Sequence, residues 1–266
     1  MTSDRSPGYG AVIFDVDGVL VASPHEQAWR ESLCELMTGE WSAVRDRTTW
    51  SEDAFSSQVY RQVMSGKPRM SGALAGLQYF GVPDATERAP VYADLKQRVL
   101  LRLIDERRFH AYPDALRFVL AVRGAGMAIA AASSSKNAHR FLRAIRLDLF
   151  ARESSAGRER LPEGMTLLDA FDADLSGRDF AQGKPNPEIF LAAAAELDVA
   201  PSACVVVEDA VSGIQAAKAG TMVALGTARA GDETDLERAG ADLVVSTLDD
   251  VDVEAFVTGR LIRRSG

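Results

Sequence analysis

Two cysteines in 266 residues, Cys34 and Cys204, are too few and too far apart for a disulfide framework or a zinc-ligand spacing. A reducing cytoplasm is the simplest home for such a chain. Basic charge is short as well. Thirty Lys and Arg stand against 38 Asp and Glu, for a formal net charge of −8. That balance lacks the basic stripe of a nucleic-acid binder, so no nucleic-acid partner is expected. No apolar run approaches the ~18 residues of a membrane span. Met1 to Gly10 carries no signal-peptide pattern and reads as a loose tail. No internal repeat is evident. What remains is 47% hydrophobic and 26% charged, an ordinary globular composition. The length suits one large domain, or a core with a smaller insert.

The most informative stretch is Ala11-Val12-Ile13-Phe14-Asp15-Val16-Asp17-Gly18. Four apolar residues in succession fit a short strand buried on both faces. Side chains alternate along a strand, so Asp15 and Asp17 leave its end on the same side. Gly18 permits a tight turn out of it. Two carboxylates so close repel each other unless a cation lies between them or one keeps a proton. Taken alone, Asp17-Gly18 reads more readily as turn chemistry.

Beyond Ser23 the pattern turns helical. His25 to Met37 places Trp29, Leu33, Leu36 and Met37 near helical spacing. Helical segments continue to about Arg108, broken at Gly66-Lys67-Pro68-Arg69 and at Gly81-Val82-Pro83, with no convincing strand. From Tyr112-Pro113 strand and helix alternate. Strands are expected at Met127–Ala132, Ala203–Val207, Thr221–Leu225 and Leu243–Val245. Helices are expected at Ala115–Arg123, after Ser133–Asn137, at Glu188–Leu197, at Gly213–Ala219 and just before Gly240. Arg152 to Gly164 reads as a surface loop, and Arg263-Arg264 as a solvated tail. The rhythm is that of α/β architecture, a doubly wound parallel sheet with helices on both faces. Ligands of such sheets bind beyond the carboxyl ends of the strands.

Four polar clusters fall at those ends: Asp15 with Asp17, Ser133 after Ala130-Ala131-Ala132, Lys184 in Gly183-Lys184-Pro185, and Glu208-Asp209 after Val205-Val206-Val207. Each has an ordinary explanation by itself, as a cap, a surface lysine or a solvated loop. Together they are the parts that phosphoryl transfer needs. A carboxylate attacks phosphorus. A second acid moves the proton of the leaving oxygen. A hydroxyl and an ammonium hold the phosphoryl oxygens. A hard divalent cation with few carboxylate ligands, Mg2+, offsets the charge.

In these motifs the chain resembles the haloacid dehalogenase superfamily, over nearly its whole length. The resemblance implies a Rossmann-like core of residues 1–22 and 110–266 and a small all-helical cap domain of residues 23–109. It implies that Asp15 is the nucleophile and Asp17 the general acid/base. It implies that Ser133 and Lys184 bind the transferring phosphoryl group. Magnesium would be held by Asp15, the main-chain carbonyl of Asp17, and Asp209 with Glu208. Ser135-Lys136-Asn137, Gly183-Lys184-Pro185-Asn186-Pro187 and Glu208-Asp209-Ala210-Val211-Ser212-Gly213 look like the β-phosphoglucomutases and their phosphatase relatives. By that likeness His25, Arg69 and Lys96 are cap residues. The histidine is linked to cap closure, the arginine grips a second phosphate with help from Ser135, Lys136 and Asn137, and the lysine contacts the sugar. Ala22-Ser23, where many relatives have Asp-Ser, and a long segment from Asp148 to Ala170 depart from the pattern.

The expected activity is a sugar-phosphate mutase reaction on a small phosphorylated sugar; the alternative is a phosphatase of a small phosphorylated metabolite. A binding protein on the same fold would have no need of all four clusters. Core and cap together make one closed site, so a monomer suffices.

Overall fold

The computed structural model describes residues 8–65, 67–154 and 161–264. The expected tail at Met1–Pro7, Gly66 of the 66–69 break, and residues 155–160 of the expected loop lie outside these. The chain divides into two compact units, residues 1–22 with 110–266, and residues 23–109.

In the first unit, among the described residues, six parallel strands form one sheet. They are β1 (Ala11–Phe14), β4 (Ala128–Ala131), β5 (Ala173–Asp174), β6 (Cys204–Glu208), β7 (Val223–Thr227) and β8 (Leu243–Val245). Their order is β5-β4-β1-β6-β7-β8. β1 is central, with Ala11 opposite Ala128 on one side and Cys204 on the other. Every residue of β1 and β6 is buried. That is why these stretches read as unbroken apolar runs rather than alternating ones.

Helices cover both faces: α6 (Pro113–Gly124), α7 (Ala138–Ala144), α8 (Leu147–Ser154), α9 (Glu188–Glu196), α10 (Val211–Ala219), α11 (Glu233–Arg238) and α12 (Val253–Phe256). Ile13 and Val206 pack with Phe190 of α9 and Ile214 of α10. Phe14 points the other way, its ring 6.1 Å from Phe118 of α6, which lies 5.2 Å from Phe256 of α12. Truncating one such buried ring costs about 3–5 kcal/mol, so both faces contribute to holding β1 in place.

A short antiparallel pair, β2 (Val21–Ala22) and β3 (His110–Ala111), carries the chain out of this unit and back. Neither it nor β5 is expected from the sequence. Two residues are too few to display a strand period. Two further expectations are corrected. Arg152 to Glu153 is helical, because α8 runs to Ser154. Past the undescribed residues, the Gly164 amide donates to the buried carboxylate of Asp148 at 3.0 Å, itself gripped by Arg146. The Arg263-Arg264 segment is tied down. Arg263 bridges to Val251 and donates to the Val244 carbonyl, and the Arg264 amide donates to Asp250 at 2.7 Å.

The second unit holds α1 (His25–Thr38), α2 (Ser42–Arg45), α3 (Ser57–Val59), a π-helical turn at Tyr60–Met64, α4 (Arg69–Tyr79) and α5 (Ala85–Asp105). Its described residues contain no strand. α1 buries Ala28, Trp29, Ser32, Leu33, Leu36 and Met37, the stripe that its sequence spacing predicts. Tyr92 of α5 lies edge-on to Trp29 at 4.9 Å and donates its hydroxyl to the Trp29 carbonyl at 2.9 Å. No helix among the described residues is long and apolar enough to cross a membrane.

Candidate active site

Most candidate residues of the first unit sit where strands end, and Lys184 lies in the loop between β5 and α9. The Asp15 amide donates to Val207 at 3.0 Å, extending the β1–β6 ladder by one residue before the chain turns. The turn closes with Leu20 and Val21 both donating to the Val16 carbonyl, at 3.0 and 2.9 Å, and Gly18 donating to Val21 at 2.8 Å. Gly18 has φ +91°, a conformation that side chains with a Cβ rarely take. Space demands glycine there too. A Cβ would lie 1.8 Å from Oδ2 of Asp209, so the absence of a side chain lets Asp209 press against the turn.

Lys184 is the hub. Its ammonium lies 2.5 Å from Oδ1 of Asp15 and 2.5 Å from Oε1 of Glu208. The stem passes the Phe190 ring, with Nζ 4.8 Å from the centroid. Oε2 of Glu208 accepts the amides of Asp209 and Ala210, each at 2.9 Å. Glu208 therefore has both oxygens engaged and shapes the loop that presents Asp209. Gly213 makes room for it. A Cβ there would lie 1.9 Å from Oε1 of Glu208. Gly213 was legible only as part of a motif phrase, because its need is steric and the obstructing atom is five residues away.

Ser133 is held by its neighbours on both sides of the sheet. The Ala132 amide donates to Phe14 at 2.8 Å, continuing the β1–β4 pairing, and Gly177 donates to the Ser133 carbonyl at 3.0 Å. The Ser133 hydroxyl approaches Oδ2 of Asp17 at 3.4 Å and accepts the Ser135 amide at 3.1 Å. The structure thus brings Asp15, Asp17, Ser133, Lys184, Glu208 and Asp209 to one end of one sheet.

In the neighbouring turn, Ser135 and Asn137 are in direct contact. The Asn137 amide donates to Ser135 Oγ at 3.3 Å, and Asn137 is buried at the start of α7. Lys136 does not join the cluster. Its ammonium pairs with Asp179 at 2.8 Å, with both side chains largely in solvent. An exposed pair of this kind contributes ~0–1 kcal/mol.

In the second unit His25 opens α1, and its Nδ1 is 2.9 Å from the ammonium of Lys96. Lys96 is 4% exposed and lies over Trp29, 5.0 Å from the ring centroid. Arg69 is the exposed first residue of α4.

Charge at the sheet end is crowded. Burial lifts the Asp15 carboxyl from 3.8 to about 7; Lys184 pulls it down, while Glu208 and Asp17 push it further up. Burial also raises Asp209, reinforced by Glu208 and Asp15. Burial alone would lower Lys184, but Asp15 and Glu208 outweigh it and hold the ammonium firmly protonated. One ammonium thus faces several carboxylates. Among the described residues no three His, Cys, Asp or Glu side chains converge as a ready-made metal centre. The donor chemistry still fits magnesium, which takes one or two carboxylates and completes its shell with water and phosphate oxygens. Asp15 and Asp209 supply all-oxygen donors whose negative charge is only partly offset.

The chain belongs to the haloacid dehalogenase-like hydrolases, whose family model matches residues 9–221. It is an enzyme of that superfamily, a phosphomutase or a phosphatase. Among its relatives, a β-phosphoglucomutase of Mycobacterium bovis is 31% identical over 253 residues, covering 90% of this chain and 89% of that protein. A phosphorylated carbohydrates phosphatase of Thermotoga maritima is 29% identical over 210 residues, covering 78% and 80%. The solved archaeal β-phosphoglucomutase of Pyrococcus sp. strain ST 04 matches with a TM-score of 0.66 and 28% identity, covering 94% of this chain and 99% of that one.

Proposed function

We propose that this protein is a magnesium-dependent phosphotransferase that works through a phospho-aspartate at Asp15, as a sugar-phosphate mutase of the β-phosphoglucomutase type. The observation that carries the reading is the placement of a buried carboxylate, Asp15, within 2.5 Å of the Lys184 ammonium, beside Asp17 and Ser133. The 31% identity to a β-phosphoglucomutase over nine-tenths of the chain supports the choice of reaction.

An oxygen of Asp15 forms a bond to phosphorus as the bond from phosphorus to the sugar oxygen breaks. Asp17 gives its proton to that departing oxygen. Lys184 and Ser133 hold the non-bridging oxygens through the charge build-up. In the second half-reaction a different sugar hydroxyl attacks the phospho-aspartate, Asp17 takes the hydroxyl proton, and Asp15 is released. Asp15, Asp209 and the Asp17 carbonyl would hold magnesium, which supplies positive charge beside the transferring group.

Arg69 suits the second phosphate of a bisphosphate. A cation at a helix N-terminus is disfavoured by ~0.3–1 kcal/mol, so helix stability does not explain its position. His25 and Lys96 form the sugar-facing pair of the helical unit in this reading.

The test is β-glucose 1-phosphate with a trace of glucose 1,6-bisphosphate and magnesium. Formation of glucose 6-phosphate is expected. Release of free phosphate without glucose 6-phosphate would replace the mutase with the phosphatase, in which water attacks the phospho-aspartate. The 29% identity to a phosphorylated carbohydrates phosphatase supports that second reading.

A further inference from the structure

The turn that carries Asp17 does not satisfy all of its own main chain. Its internal bonds run from Leu20 and Val21 to Val16, and from Gly18 to Val21. The carbonyls of Gly18 and Val19 take no part in them, although Val19 is fully buried. A buried carbonyl needs a donor. Arg229, just past the end of β7, supplies both. Its Nε donates to Gly18 at 3.0 Å and its Nη2 to Val19 at 3.2 Å.

The same guanidinium is anchored from behind. It forks onto Asp114 in the first turn of α6, at 3.1 and 3.3 Å, and lies 3.7 Å from the centre of the Tyr112 ring. Asp114 in turn accepts the Leu248 amide at 2.8 Å and the Thr247 hydroxyl at 3.0 Å. Both Arg229 and Asp114 are largely buried, with side chains 15% and 8% exposed. One planar cation thus joins the β1 turn, α6 and, through Asp114, the loop after β8. A lysine could not do this. A single ammonium lacks the five fixed donors of the guanidinium fork.

We infer that Arg229 is a positioning residue for the acid/base Asp17, holding the Gly18–Val19 peptides so that the Asp17 carboxyl meets the leaving oxygen. The inference rests on the reading of Asp17 given above. Gly18 sits at φ +91° without a Cβ to restrain it, so the turn depends on outside bonds to keep its shape. A displacement of about 1 Å in a catalytic group can cost on the order of 100-fold in rate.

The test separates leaving groups. Acetyl phosphate releases acetate, which leaves without a proton. Glucose 1,6-bisphosphate releases an alkoxide, which needs one. Phosphorylation of Asp15 is measured in single turnover with both donors in the wild type and in Asp17→Asn, Arg229→Lys and Arg229→Gln. Arg229→Lys is expected to slow transfer from the bisphosphate by about 30-fold and from acetyl phosphate by under about 3-fold, a partial copy of the acid's own ~10²–10⁴-fold contribution. The KM for the bisphosphate should stay within a factor of about 3, since Arg229 does not touch the phosphates in this account. Independently of turnover, hydrogen exchange at the Leu20 and Val21 amides should quicken by about 10-fold or more in Arg229→Lys, because the turn is opened locally. Equal slowing with both donors, or no slowing together with unchanged exchange, overturns the inference. If Asp17→Asn itself slows both donors equally, the acid role proposed for Asp17 fails. If Asp17→Asn is selective and both Arg229 variants are not, only the positioning role fails.

Discussion

The two units carry their candidate residues in opposite ways. In residues 1–22 and 110–266 five of the six clustered side chains sit at or just past strand ends, where main-chain pairing fixes their roots, and Lys184 comes from the loop between β5 and α9. Asp15 extends one ladder, Ser133 follows another, and Glu208 is the last residue of β6. In residues 23–109 the candidates ride on helices. His25 and Arg69 begin α1 and α4, and Lys96 lies within α5. A strand end in a parallel sheet leaves a side chain little choice of direction. A helix turns its residues about an axis, and packing decides which of them face anything. The first arrangement suits chemistry that tolerates no displacement, and the second suits contacts that differ between substrates.

The largest expected effect tests the strand-end half of that contrast. Asp15→Asn removes the proposed nucleophile while keeping the shape, and should reduce turnover by about 10⁴-fold or more, with the chain still folded by circular dichroism. Activity that survives the change defeats the phospho-aspartate mechanism. Next is Gly18→Ala. The methyl group would meet Asp209 and force a strained φ, so about a 100-fold loss of activity is expected from the displaced carboxylate. Stability should fall by about 1–3 kcal/mol, read by urea denaturation. A fully active variant would mean that Asp209 need not lie against the turn.

In the helical unit the effect should be smaller and of another kind. Arg69→Ala is expected to raise KM for glucose 1,6-bisphosphate by about 10-fold through loss of one charged contact, with phosphorylation by acetyl phosphate unchanged within about 2-fold. A matching loss with both donors would place Arg69 in the chemistry and erase the contrast. Smallest of these, Lys136→Ala should change activity by under about 2-fold and stability by under about 0.5 kcal/mol, since its ammonium pairs with the solvent-exposed Asp179.

The crowded carboxylates also make a statement about pH. Asp15 rises from 3.8 to about 7 in the folded chain, and Asp209 rises as well. The folded state therefore binds these protons more tightly than the unfolded state. Their contribution to stability is present at low pH and is lost as pH climbs from about 4 to about 7. With a chelator present, Tm should be higher at pH 5 than at pH 7.5, and magnesium at pH 7.5 should recover much of the difference. Asp15→Asn should flatten the trend. A metal-free Tm that climbs steadily across this range would show that the carboxylates are better compensated than their burial indicates.

Much of the fold was legible because buried parallel strands announce themselves. The expected first strand coincides with β1, and Leu243–Val245 coincides with β8. β2, β3 and β5 stayed hidden, since two residues show no period; β5 pairs because β4 offers it an edge, and β2 and β3 pair with each other. At the candidate site the acids, the hydroxyl and the lysine were readable as residue types at strand ends. Arg229 was not. It lies in a run, Ala228-Arg229-Ala230-Gly231, with no spacing to set it apart from a surface arginine.

What the chain's order of residues determined alone is the sheet's interior and the list of groups at its carboxyl edge, because apolar runs must be buried and polar groups collect where the runs stop. Which oxygen meets which cation was decided only in three dimensions. Lys184 reaches Asp15 from 169 positions away, and Arg229 reaches Gly18 from 211. Contacts over such separations depend on how strands stack side by side, and no local pattern encodes that.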